Sequence, residues 1–424
     1  MLSVASRTPP CRRVLAAVPR TLFLVAVLVW TTGAALAAWP AAAHATSLSS
    51  SIDAALARHG VLGWGTSVVV WDTTTGRIVY SRRPRDLLVP ASNEKLVTSA
   101  TALAKWGADH CFVTAALAGA EADAGGVLHG DLWLHGGGDP LLATGGLRRL
   151  AAAVRAAGVI RVAGRVVGDE SFFDAVRSVS SWKAGDSAYC APLSALAVNG
   201  GRAGGSRPAL AAARLFRSAL TAAGVKVSGG AASGRAPAGA VSVAQLESPP
   251  LSRVLSAMNK PSDNFIAEML TKALGADFGG SGTTRAGLAV ESSFLHSCGF
   301  TSSDFALRDG CGLSPRDRLS TLTITRLLLL MDDRFDFQSY WSSLSIAGKD
   351  GTLAARMRGT RAVGVLHAKT GTLSVASSLS GYVTDRGYEG LVFSILMNGA
   401  PLRTLAARQA QDEIGVLLAS ADLD

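Results

Sequence analysis

Ser92-Asn93-Glu94-Lys95-Leu96-Val97, preceded by Pro90-Ala91, is the stretch on which the reading of this 424-residue chain turns. Apolar residues at Leu96, Val97, Ala100, Leu103 and Ala104 keep a 3.6-residue period as far as Gly107, so a helix opens at about Ser92. Ser92 and Lys95, three apart, then project from one helix face. A serine hydroxyl is a weak nucleophile until a neighbouring base takes its proton. A lysine can be that base only when burial or a second cation keeps it neutral. The backbone N–H of Ser92, at the positive helix end, is in addition a donor for an oxyanion.

Two further motifs follow in order, Ser262-Asp263-Asn264 and Lys369-Thr370-Gly371-Thr372. Alone, the first is an ordinary helix N-cap and the second a turn between strands. Together with Ser92 and Lys95 they complete one reaction. Ser262 would pass a proton to the leaving group, and Asn264 would hold a substrate amide and the Lys95 side chain. Lys369, with the hydroxyls of Thr370 and Thr372, would bind a terminal carboxylate, and its charge would lower the pKa of Lys95. Gly371 would let a substrate backbone approach an edge strand, and the Thr372 N–H would join that of Ser92 as the second oxyanion donor. His367 shares the strand face of Lys369 and can touch the site or simply be packed. A second copy, Ser180-Ser181-Trp182-Lys183, runs into Ala-Gly-Asp and reads as surface loop. Gly136-Gly137-Gly138-Asp139-Pro140 lacks the Gly-Lys-Ser/Thr ending of a phosphate loop and reads as a tight turn.

The first 45 residues read as a signal peptide: Arg12, Arg13 and Arg20, an apolar run from Leu22 to Ala38, then Ala43-His44-Ala45 as a small-x-small cleavage site. An uncleaved anchor is the alternative. Either way the folded part is exported, to the extracellular space, periplasm or cell wall. Losing the leader's four arginines lowers the net charge from +10 to +6. No Lys/Arg-rich run with interleaved aromatics occurs, so nucleic acid is excluded as a partner. The basic excess suits an anionic wall or membrane surface. Beyond the leader stand Cys111, Cys190, Cys298 and Cys311. An even number in an exported chain permits disulfides, Cys298–Cys311 as the most local pair and then Cys111–Cys190, or else four buried thiols. With neither C-x-x-C nor H-E-x-x-H, no metal or other cofactor is expected.

Along the chain, a helix at 51–59 and a hairpin over 66–71 and 77–81 precede the Ser92 helix. Strands near 112–117, 128–134 and 161–167 around a helix at 147–157 suggest a small α/β unit, and 229–239 reads as a linker or loose hairpin. Strands at 363–367, 378–383 and 391–397 and a helix at 402–418 close the chain. The expected division is a catalytic domain split over 46–111 and 245–424 around an inserted accessory domain at 112–244.

The order Ser-x-x-Lys, Ser-x-Asn, Lys-Thr-Gly resembles the signature of the penicillin-recognising serine acyl-transferases. Further segments carry the likeness: Lys260-Pro261 before Ser262, Ala267-Glu268-Met269-Leu270, Gly168-Asp169-Glu170-Ser171, Ala191-Pro192-Leu193-Ser194-Ala195-Leu196, Asp309-Gly310-Cys311-Gly312-Leu313-Ser314 and Gly348-Lys349-Asp350-Gly351-Thr352. The chain is similar to the low-molecular-mass class C penicillin-binding proteins, the D-alanyl-D-alanine carboxypeptidase/endopeptidase family. The resemblance implies an α+β fold, a β-lactamase-like transpeptidase domain whose antiparallel sheet is flanked by helices. It also implies a hydrolase that cleaves D-Ala-D-Ala stem peptides and cross-links of peptidoglycan through an acyl-enzyme on Ser92, and is acylated by β-lactams. The rivals are a serine β-lactamase or related esterase, and an inactive wall-binding scaffold. The 170 positions from Ser92 to Ser262 favour a domain-inserted peptidase over the more compact β-lactamase. Two departures stand out. After Leu196 the family's long β-rich insertion is largely missing, and Cys311 stands where the family usually has serine.

Overall fold

The computed structural model describes residues 41–63, 65–387, 389–399 and 402–423. Most of the expected leader, including its arginines and apolar run, therefore lies outside the described residues. The N-terminal stretch forms helix α1 (Ala41–Arg58), the hairpin β1 (Thr66–Asp72) and β2 (Arg77–Arg82), and α2 (Glu94–Trp106). The middle holds β3 (Val113–Ala118), β4 (Val127–Leu128), β5 (Leu132–Gly136), α3 (Thr144–Ala156), β6 (Arg161–Val162), β7 (Val166–Asp169), α4 (Pro208–Ala222), β8 (Lys226–Val227), β9 (Ala231–Ser233) and β10 (Val241–Glu247). Helices α5 (Leu251–Asn259), α6 (Asn264–Phe278) and α7 (Thr284–Ser297) follow, then β11 (Phe305–Ala306), β12 (Arg318–Leu319), α8 (Thr321–Asp332), α9 (Phe337–Ser343) and β13 (Ser345–Ile346). The chain ends in β14 (Leu366–Leu373), β15 (Ala376–Thr384), β16 (Gly390–Asn398) and α10 (Thr404–Ser420). No described helix is long and apolar enough to cross a membrane.

The main sheet has the order β13-β14-β15-β16-β1-β2 and is antiparallel throughout. Its centre joins the two ends of the chain, β1 pairing with β16 from Thr66↔Met397 to Asp72↔Leu391. Alternation sorts the side chains. Leu391, Phe393, Ile395 and Met397 meet Ile52 and Leu56 of α1 and Ile414 and Leu418 of α10. Val392 and Leu396 face the other way, into a core with Leu96, Leu103, Leu255, Met269 and Leu328 from α2, α5, α6 and α8. Because helices cover both faces, β15 and β16 read as near-continuous buried runs.

A second sheet, β10-β3-β5-β7-β9, comes wholly from the middle of the chain. Its β5–β7 and β7–β9 pairs are parallel. The short strands β4, β6 and β8 form a third, parallel sheet. Leu147, Leu150 and Val154 of α3 and Phe216 and Leu220 of α4 bury against Leu132, Leu134 and Val166. The last strand ends at Glu247, past the expected boundary at 244, because Glu247 still pairs with Val113. The expected linker at 229–239 contains β9, held parallel to β7 by Val166↔Ala231 pairing. Strand β14 lies three residues later than the periodicity suggested and carries Lys369 to Thr372 within it. From Lys369 onward β14 pairs only with β15, so its other edge is open.

The expected disulfides are not formed, and Cys111, Cys190, Cys298 and Cys311 are all free. Cys311 is fully buried with its thiol against Glu268, whereas Cys298 caps the end of α7. Cys111 lies in the loop before β3, its Sγ 3.6 Å from the Asp109 carbonyl, while Cys190 is buried near Glu268 and Asp263.

Buried Asn259, at the end of α5, donates to Ser99 Oγ and Ser343 Oγ, each at 2.9 Å, and so ties α2 to α9. Asn259→Ala removes two buried hydrogen bonds and should lower the unfolding free energy by about 1–3 kcal/mol. Urea unfolding with an unchanged slope and a lower midpoint is the expected result.

Candidate active site

Ser92 sits in a single tight turn, Ala91–Asn93, that opens α2. Its placement is forced from three sides. Ser378 Oγ donates to the Pro90 carbonyl at 2.7 Å, and Asn93 Nδ2 donates to the Lys369 carbonyl at 2.9 Å, so the turn is bound to β15 and β14. A Cβ on Gly371 would lie 2.8 Å from the Ser92 nitrogen, and one on Gly312, at φ 80°, would collide with the Ala91 carbonyl. Only glycine permits this approach. Ala91 and Ser262 themselves hold φ of 48° and 63°, strained values for non-glycine residues.

Lys95 is fully buried. Its Nζ lies 2.7 Å from Asn264 Oδ1, 2.7 Å from the Cys311 carbonyl and 3.1 Å from Ser92 Oγ. The two shorter contacts are to acceptors that cannot donate back. A neutral amine has two N–H groups for them, and its lone pair is left facing the Ser92 hydroxyl. Burial lowers the Lys95 pKa, and negative charge from Cys311, Asp309, Glu268 and Asp263 opposes the shift.

Asp263, not Ser262, caps α6, its side chain accepting the Ile266 N–H at 3.0 Å. The helix-cap reading of this tripeptide and the chemical one therefore hold together. Ser262 and Asn264 are left to face the cleft, and both line it with Ser92. Lys369 is also fully buried, with Nζ 2.8 Å from Ser262 Oγ and 2.9 Å from the Thr370 carbonyl. Its pKa is pushed well below the usual lysine value, by burial first and by Lys95 second. Two sequence expectations change here. Burial leads the lowering of Lys95, where the sequence pointed to the Lys369 charge. Nor does Lys369 line the cleft where a carboxylate would lie. Thr370, Gly371 and Thr372 do, with Thr370 Oγ1 donating to Thr352 Oγ1 at 2.7 Å.

The cleft, about 970 Å³, is also lined by Asp186, Tyr189, Arg356 and Arg408, which the motifs did not mark, and by Lys183 of the second Ser-x-x-Lys copy. Tyr189 holds Asn264 through its carbonyl, 3.0 Å from Nδ2. Ser180 stays in an exposed loop, as read, although neighbouring Lys183 reaches the cleft rim. His367 is buried and stacks on Trp341 at 3.7 Å, so it is packed rather than part of the site. Glu268, Asp309 and Cys311 bring ligand-type atoms within 4.8 Å of one another. Asp309 nevertheless spends its carboxylate on the N–H groups of Cys311, Gly312 and Ser314 and on Trp182 Nε1. Burial pushes Glu268 up to about 8, which keeps it neutral at pH 7. The trio is a hydrogen-bonded cluster and not a cation cage.

The model of the D-Ala-D-Ala carboxypeptidase 3 (S13) family matches residues 48–207 and 204–421. The break falls close to the point where the long insertion is missing. A D-alanyl-D-alanine carboxypeptidase of Actinomadura sp. (strain R39) is 35% identical over 467 aligned positions, 89% of this chain and 85% of that one. The alignment is longer than the chain, so the relative carries segments absent here. Carboxypeptidase DacB of Mycolicibacterium smegmatis is 30% identical, over 83% of this chain and 80% of its own. In fold, penicillin binding protein 4 of Haemophilus influenzae superposes with a TM-score of 0.75 at 21% identity, covering 85% of this chain and 98% of that structure.

A methyl group at Gly371 would push β14 away from the Ser92 nitrogen. Gly371→Ala should slow acylation by benzylpenicillin about 10²-fold, the cost of spoiling one oxyanion donor. Stopped-flow acylation kinetics would measure this.

Proposed function

The chain belongs to the D-Ala-D-Ala carboxypeptidase 3 (S13) family, and we propose that its reaction runs on Ser92, Lys95, Ser262, Asn264 and Lys369. The protein is a serine-type D-Ala-D-Ala carboxypeptidase that acts on peptidoglycan peptides and is inhibited by β-lactams. The observation that supports the residue assignment is the buried Lys95 amine 3.1 Å from Ser92 Oγ, held there by its bonds to Asn264 Oδ1 and the Cys311 carbonyl. In this reading Lys95 takes the Ser92 proton as Oγ attacks the carbonyl of the penultimate D-alanine. The oxyanion is held by the N–H groups of Ser92 and Thr372. Ser262 accepts a hydrogen bond from Lys369, so its own proton is free for the departing amine of the last D-alanine, and the proton that Lys95 took from Ser92 replaces it. Water then hydrolyses the acyl-enzyme. Thr370 and Thr372 receive the substrate carboxylate beside the open edge of β14, and Gly371 admits its backbone.

The same proposal places the enzyme outside the cytoplasm, at an anionic wall or membrane surface, on the basic charge and the leader-like N-terminus. It assigns catalysis to 46–111 and 248–424, which build the main sheet and its helices, and accessory contacts to 112–247.

Ser92→Ala should abolish covalent labelling by fluorescent penicillin, and mass spectrometry of the wild type should find one adduct on the Ser92 peptide. An adduct on Ser180 would sink the assignment.

The acid limb of acylation should follow Lys95, since the base works only when unprotonated and the rate rises with pH through its lowered pKa. Burial, and not the Lys369 charge, leads the lowering of Lys95. Lys369→Met should therefore slow acylation about 10²-fold through loss of the Ser262 contact and leave the acid midpoint in place. A midpoint displaced upward by a unit or more would show Lys369 charged while Lys95 titrates.

A further inference from the structure

Beyond Thr372 the cleft wall passes to α10, which presents Arg408. The three cations that line the cleft are Lys183, Arg356 and Arg408. Arg356 is committed: Nε binds Asp412 Oδ1 at 2.7 Å and Nη2 binds Gln411 Oε1 at 3.1 Å. Lys183 lies on the 180–189 loop, away from β14. Arg408 is exposed, and no described carboxylate lies within ion-pair distance of it. Its Nη2 donates to Thr372 Oγ1 at 3.2 Å.

That contact has a directional consequence. A guanidinium only donates, so Thr372 Oγ1 is the acceptor and its proton is left for another acceptor. A carboxylate arriving there meets an O–H and the free N–H groups of a guanidinium together, the charge-assisted geometry for which arginine is suited. The position of Arg408 is fixed by the fold. Ser377 is the cross-strand partner of Thr372, and Gln411 Nε2 donates to Ser377 Oγ at 3.0 Å. Gln411 lies three residues after Arg408, on the same face of α10. This helix carries no acidic residue in its first turn, and Arg408 stands in its second.

We propose that Arg408 is a substrate-binding residue, which with Thr372 Oγ1 grips the α-carboxylate of the departing D-amino acid and sets the preference of the enzyme for a free carboxyl terminus. The inference rests on the carboxypeptidase reading above and assigns to α10 the cationic role that buried Lys369 does not fill. The test compares two N-acylated tripeptides, one ending in D-Ala-D-Ala and the other in D-Ala-D-alaninamide, on wild type, Arg408→Ala and Arg408→Lys. The acid-to-amide ratio of kcat/KM should fall about 10- to 100-fold in Arg408→Ala, the worth of one charge-assisted hydrogen bond. Most of the loss should appear in KM for the acid, and Arg408→Lys should restore part of the ratio. An unaltered ratio, or equal loss on both peptides, would overturn the role of Arg408 while leaving the carboxypeptidase reading intact. A wild type that cleaves neither peptide yet forms the penicillin adduct would overturn both.

Discussion

One buried amine sets the terms for the catalytic half of this molecule. Lys95 sits in a fully occluded position where a charged ammonium is costly and a neutral amine is not. Its three contacts come from three separate parts of the chain: its own helix, the start of α6, and the loop that follows β11. None of these would hold the lone pair on Ser92 without the others. The antiparallel closure of β1 on β16 and the packing of α2 against α6 therefore have a direct chemical product, one base with a defined direction.

Direction recurs as the working principle. Lys369 donates to Ser262 Oγ, and Arg408 donates to Thr372 Oγ1. In each case the lysine or guanidinium is best placed as donor, the hydroxyl accepts, and the hydroxyl proton is left for another acceptor. The cost of this precision shows in the backbone. Ala91, next to Ser92, and Ser262 itself both occupy left-handed φ values, at the two serines whose hydroxyls must be aimed. The surrounding hydrogen bonds, Ser378 to Pro90 and Asn93 to Lys369, over-determine the turn strongly enough to keep Ala91 there.

Much of this was legible in the sequence because it is local. The Ser92–Lys95 spacing, the open strand at Lys369 to Thr372 and the long separation of Ser92 from Ser262 are properties of short segments and their order. What was not legible depends on long-range packing. The Cys311 carbonyl that binds Lys95 belongs to the backbone, and its side chain gives no hint of that role. Nor does the Lys-Thr-Gly pattern say that Lys369 is buried under Ser262 while an arginine from the last helix reaches Thr372. The disulfide expectation failed because cysteine counts carry no geometry: Cys311 belongs to the polar layer under Lys95, and Cys298 caps a different helix end. The strands at 231–233 and 241–247 were not legible for a related reason. Those segments are weakly apolar and are strands only because β7 and β3 offer them a free edge.

Under Lys95 lies a layer of buried acids that includes Glu94, Glu268, Glu291 and Asp317. Ionised, they would raise the Lys95 pKa and leave the base protonated. Burial is what prevents this. It pushes Glu268 and Glu291 up to about 8 and moves Glu94 and Asp317 upward as well. The two kinds of group pull stability in opposite directions. Between about 4.5 and 8 the folded state keeps protons on Glu268 and Glu291 that the unfolded chain releases, so these glutamates lose stability for the fold as pH rises. From its lowered folded value up to 10.5, Lys95 does the reverse, since the unfolded chain binds the proton that the folded one has lost. Glu268 and Glu291 stay neutral only near and below pH 8. Burial is the first cause of both shifts and of the lowering of Lys95, so the desolvation that activates Ser92 also keeps these two carboxyls silent.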